Sequence, residues 1–168
     1  AHAITSAPDD EWSPAWSPDG ARIAFLRGDP GGKAKLLITS SLGGEDRMVA
    51  EVFPYPSRRP LLIGHLLAWT PDGKQLVVAD RDADGKGGLV LLDLQSGERQ
   101  PLSTPGAGEF DVEPSLSSNG RLMLFNRIRA QTLSDVFVQE LDAQFRPTGA
   151  ARKLPRSEEH TSELPVTL

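Results

Sequence analysis

One phrase recurs three times in this chain: an apolar residue, a short polar turn closed by glycine, then an alternating apolar strand. Trp16-Ser17-Pro18-Asp19-Gly20 leads into Ile23 and Phe25. Trp69-Thr70-Pro71-Asp72-Gly73 leads into Leu76 and Val78, and Leu116-Ser117-Ser118-Asn119-Gly120 into Met123 and Phe125. The glycines stand 53 and then 47 residues apart. A repeat of this length marks stacked supersecondary units, none of which can bury its own faces without a neighbour.

The turn is built from residues with separate tasks. Pro18 and Pro71 preset φ near the value the first turn position needs, Asp19 and Asp72 suit the second, and Gly20 and Gly73 take the left-handed conformation. The third copy keeps Asn119 and the sterically decisive Gly120. Each following strand carries small or apolar residues at the intervening positions too (Ala24, Val77, Leu124). A strand apolar on both faces needs a packed layer on each side. Each copy then adds a second hairpin. Its strands are Lys35–Ile38 with Arg47–Val49, Leu89–Leu94 with Arg99–Leu102, and Asp135–Val138 with Arg152–Leu154. Four short antiparallel strands per unit predict an all-β fold: a partial β-propeller of about three four-stranded blades, half of a six-bladed ring. The expected boundaries are 8–56, 62–104 and 108–155. Arg or Pro in each last strand suits an outer edge that must not pair with other chains.

The 16 Gly and 14 Pro among 168 residues fit a turn-rich β protein. The net charge of −5 argues against nucleic acid as the partner of this segment, because phosphate binding calls for a basic face. There is no cysteine, which removes disulfides and thiolate metal sites. No apolar stretch reaches the roughly 20 residues of a membrane helix.

The phrases Pro14-Ala15-Trp16-Ser17-Pro18-Asp19-Gly20 with Ile23-Ala24-Phe25, and Ala68 to Val78, resemble the TolB-like propeller repeat, a WD-like family. The likeness covers about residues 8–155. It is specific for fold and says little about function. The stretch from Ser134 to Leu154 looks like the propeller regions of bacterial winged-helix regulators and serine/threonine kinases. The resemblance implies a non-catalytic binding or sensor module within a larger bacterial signalling protein, periplasmic or extracytoplasmic, with a protein or peptide partner. Two alternatives stay open. One is the propeller of a prolyl-oligopeptidase-like serine peptidase, and the other a TolB-type periplasmic docking scaffold. Residues 156–168 resemble the conceptual translation of a sequencing adapter and are expected to be non-native.

Candidate chemistry is sparse. Asp80-Arg81-Asp82-Ala83-Asp84-Gly85 matches the first half of a calcium loop, but the twelfth position is Leu91, so a solvated hairpin loop is expected. No Gly-x-Ser-x-Gly elbow occurs, and His65 is the sole histidine within the repeats, so neither a catalytic residue nor a cofactor or metal site is predicted. Glu11, His65 and Asp111 stand nine, eight and nine residues before the repeat glycines. That position opens the innermost strand, and these three residues are the expected binding residues at the channel mouth.

Overall fold

The computed structural model describes residues 3–28, 32–54, 65–81, 84–129 and 133–155. Among these residues it has twelve strands in chain order. They are β1 (Glu11–Trp16), β2 (Arg22–Gly28), β3 (Ala34–Ser40), β4 (Arg47–Val52), β5 (Leu67–Trp69), β6 (Gln75–Arg81), β7 (Gly87–Asp93), β8 (Arg99–Pro101), β9 (Glu109–Leu116), β10 (Leu122–Arg129), β11 (Leu133–Glu140) and β12 (Arg152–Lys153). They form three separate antiparallel meanders, β1–β4, β5–β8 and β9–β12. The innermost strand β5 lies between β1 and β9, and β6 and β7 also face β9. The sheets are therefore successive blades. The suspect segment 156–168, the Pro-containing stretch 55–64 and, from the Asp/Gly-rich string, Asp82 and Ala83 lie outside the described residues.

The repeated turn has one hydrogen-bond plan. Gly20 N–H donates to the Ser17 carbonyl at 2.9 Å, Gly73 to Thr70 at 2.9 Å and Gly120 to Ser117 at 2.8 Å. The glycines have φ of 69°, 68° and 67°, the left-handed region where a side chain is strained. The hydroxyl at the first position accepts from the residue that opens the next strand: Arg22 N–H to Ser17 at 2.9 Å, Gln75 to Thr70 at 3.1 Å and Leu122 to Ser117 at 3.0 Å. The carboxylate or amide oxygen at the third position accepts the N–H just after the glycine: Ala21 to Asp19 at 3.0 Å, Lys74 to Asp72 at 3.1 Å and Arg121 to Asn119 at 3.0 Å. Asn119 can stand in for aspartate because the bond requires a side-chain oxygen and no charge.

Burial alternates with the stacking. Ala24, Leu26, Leu36 and Ile38 of the first blade are buried in one core with Leu76, Val78 and Trp69 of the second. Val77, Leu89 and Leu91 share that core with Met123, Phe125 and Phe137 of the third. The rings of Phe125 and Phe137 stack with centroids 5.7 Å apart. Outer strands β4, β8 and β12 present Arg47, Arg99 and Arg152 to solvent, as edge strands that avoid further pairing do.

Polar links fasten the first blade to the second. Trp69 Nε1 donates to the Ala15 carbonyl at 3.0 Å while the Arg22 guanidinium lies 4.7 Å from the indole centroid. Arg22 also donates to the Gly73 carbonyl at 2.9 Å. A cation over a buried indole adds attraction to the area the ring buries.

Candidate functional site

The innermost strands converge on a groove of about 590 Å³ along the blade axis. Its walls include Pro14 and Trp16 of β1, His65 and Ala68 at β5, and Glu113 and Leu116 of β9. Local sequence shapes it. Ser13-Pro14 and Glu113-Pro114 occupy the same repeat position, and the pairing register shifts at both, between Trp12 and Ala15 in β1 and opposite Leu124 to Asn126 in β9. Ser13 and Glu113 have φ of 52° and 55°, uncommon for residues other than glycine. Such bulges re-aim side chains at the rims of closed β structures. The second blade has Leu66-Leu67 there, and β5 is only three residues long. The Leu66 N–H instead donates to Ser13 Oγ at 3.2 Å, so the strained serine holds the neighbouring blade.

The three residues expected at the channel mouth are placed differently from one another. His65 is exposed and lines the groove. Glu11 opens β1 opposite Arg27, which donates to it at 2.6 Å and also to Asp46. Burial works against the charge on Arg27, and hydrogen bonds to Asp46 and Glu11 outweigh it, so its pKa lies above the ordinary value. Asp111 opens the equivalent pairing in β9, with its side chain fully buried. Arg127 Nε and Nη2 donate to its two oxygens at 2.7 and 2.8 Å, a bidentate clamp. The hydrogen bonds to Asp111 raise the Arg127 pKa against the opposing effect of burial. The guanidinium also sits 4.8 Å from the Phe137 centroid. Glu113 accepts from Asn126 Nδ2 inside the groove wall. Neither the Arg27 and Arg127 clamps nor Glu113 was anticipated; the X-Pro pair at equal distance from two repeat glycines was the available signal.

In the second blade the clamp position holds the opposite charge. Asp80 stands where Arg27 and Arg127 stand, seven residues after the glycine. Its buried carboxylate accepts from Phe53 N–H at 2.7 Å and from Arg99 at 2.6 Å. Phe53 follows the last strand of the first blade, so Asp80 is a joint between blades. The same carboxylate accepts from the Arg81 N–H at 2.8 Å. Among the described residues, no group of three or more His, Cys, Asp or Glu side chains could hold a metal ion. Among the described residues, no helix is long and apolar enough to cross a membrane.

No family model matches the chain. The uncharacterized peptidase YuxL of Bacillus subtilis strain 168 is 30% identical over an alignment of 154 residues that covers 71% of this chain and 22% of that protein. The chain thus spans about a fifth of that relative's length. The crystal structure of TolB from Acinetobacter baumannii superposes with a TM-score of 0.56 at 15% identity, covering 90% of this chain and 45% of that one. A prolyl endopeptidase structure superposes with a TM-score of 0.57 at 18% identity, covering 83% and 22%. Three separate four-stranded meanders, stacked about their first strands and matched to these neighbours, give the chain the fold of a TolB-like β-propeller, of which it forms three blades.

Proposed function

We propose that this chain is a non-catalytic binding module that takes a protein or peptide segment in the axial groove, as the sensor part of a larger extracytoplasmic bacterial signalling protein. The groove itself carries the reading. It joins apolar walls (Pro14, Trp16, Leu116) to the polar His65, Glu113 and Ser115, and such a mixture suits an extended peptide with a few side-chain contacts. Glu11 and Asp111 serve in this reading as anchors that set the innermost strands. The test is a peptide-array screen followed by calorimetry on the purified chain. His65→Ala should weaken a selected peptide, and Ala68→Trp, which fills the groove, should abolish binding. A peptide bound equally well by both variants would place the site elsewhere.

A second reading rests on the likeness to YuxL, a peptidase by name. In it, these blades belong to the propeller of a serine peptidase and control what reaches a catalytic domain. A Gly-x-Ser-x-Gly elbow in the remainder of the gene would favour this reading; a winged-helix or kinase domain would favour the first, and a cleavable signal peptide a TolB-type docking scaffold.

A further inference from the structure

The innermost strands turn one row of residues toward the axis, and the two joints inside the chain hold that row in place. Ser13 and Glu113 occupy the same place in the repeat, each before a proline and each with positive φ. In the first blade the buried Ser13 hydroxyl accepts from the Leu66 N–H and so belongs to the joint with the second blade. In the third blade Glu113 stands there instead, half-buried on the groove wall. Its carboxylate accepts from Asn126 Nδ2. That donor is a neutral amide, so the bond fixes the carboxylate without cancelling its charge.

The charges around the groove set the sign of an occupant. Among the described residues on its walls Glu113 is the one carboxylate, and no lysine or arginine stands with it. The guanidinium groups beside the openings of β1 and β9 already face carboxylates. Arg27 lies between Glu11 and Asp46, and Arg127 pairs with Asp111 and Glu109. Asp9 and Asp10, just before β1, are exposed. An acidic peptide would meet carboxylates here, and each nearby guanidinium already has its own. A cationic side chain would meet a fixed carboxylate, and its aliphatic stem could lie along Pro14 and Ala68, as such stems cover apolar surface elsewhere.

We propose, building on the peptide reading above, that the groove selects a segment carrying an arginine or lysine side chain, with the cationic head on Glu113. Arginine is the better fit, because its planar fork can bind a carboxylate through two N–H groups. The net charge of −5 also draws a cationic segment toward the chain before contact.

The test is fluorescence anisotropy on the purified full chain with short labelled peptides of one proline- and alanine-containing sequence, blocked at both ends. They differ only at a central residue, which is arginine, lysine, norleucine or glutamate. The arginine and lysine peptides should bind about tenfold more tightly than the norleucine peptide, the worth of one charge-assisted hydrogen bond, and the glutamate peptide most weakly. Glu113→Gln should erase that ratio. Its amide oxygen can still accept from Asn126, and circular dichroism checks the fold. Glu98→Gln removes an equal charge from the exposed turn between β7 and β8 and should keep the ratio. A norleucine peptide bound as tightly as the arginine peptide, or a ratio that survives Glu113→Gln, overturns the proposal. If Ala68→Trp still abolishes binding in that case, the groove holds a peptide but does not select by charge. Failure of all the peptides to bind, or binding that Ala68→Trp leaves intact, overturns the peptide reading and the charge selection together.

Discussion

Arg127 grips Asp111 through two parallel hydrogen bonds of 2.7 and 2.8 Å, and the aspartate side chain it grips is fully buried. Removing the arginine leaves a carboxylate in the core without a counter-charge. Arg127→Ala should therefore cost about 3–5 kcal/mol in urea unfolding, the range for breaking a buried pair on one side. The equivalent pair in the first blade supplies the control. Glu11 retains 23% side-chain exposure and can rehydrate, so Arg27→Ala should cost about 1 kcal/mol. Equal losses would mean that burial does not set the difference between the two clamps.

The three turn glycines share a backbone conformation and differ in what surrounds them. A Cβ on Gly20 would meet nothing within 4 Å, whereas one on Gly120 would lie 2.5 Å from Phe145 Cε1. Gly20→Ala should lower stability only by the left-handed backbone penalty, about 1–2 kcal/mol. Gly120→Ala adds a ring displacement in a packed corner and should lower the melting temperature further. A larger loss at Gly20 would contradict this account.

The fold was legible because its strongest signals are local. Gly20, Gly73 and Gly120 mark the turns, and the paired apolar faces of Ile23 to Phe25 and Leu76 to Val78 require flanking layers. The clamps were not legible, because Arg27 and Arg127 read as ordinary strand-end charges until strand register sets them opposite Glu11 and Asp111. Asp80 was hidden for a further reason. It sits in an Asp/Gly-rich string that suggests a cation loop, while its partners Phe53 and Arg99 lie 27 and 19 residues away. The groove needed three strands from three blades, and no single segment of sequence shows more than one of its walls.

Asp80 gives the next prediction. Asp80→Ala leaves the Phe53 N–H without its acceptor at a blade joint and should cost about 2 kcal/mol, the worth of a hydrogen bond to a charged group. Asp80→Asn can still accept from Phe53 and gives up only the charge facing Arg99, which is 42% exposed. The asparagine variant should thus be the more stable of the two in thermal unfolding. The reverse order would assign the joint to the ion pair.

Acid should loosen the turns unequally. The Ser17 hydroxyl and the Ala21 N–H hold the Asp19 carboxyl below its usual range, the N–H groups of Ser96 and Gln95 do so for Asp93, and those of Arg146 and Gln144 for Asp142. A carboxylate whose folded pKa is lowered contributes stability above its ordinary value near 3.8, and that stability is lost as pH falls through the lower folded value. The third repeat turn escapes this, since Asn119 makes the same bond to Arg121 N–H without a titrating group. Amide hydrogen exchange, corrected for its intrinsic pH dependence, separates the two cases. Protection at Ala21 should fall as pH drops below about 4, near the ordinary aspartate pKa, while protection at Arg121 holds until the whole chain unfolds. Asp19→Asn should flatten the Ala21 profile to match. Parallel loss at both amides would show that global unfolding, and not the turn carboxylate, governs the acid response.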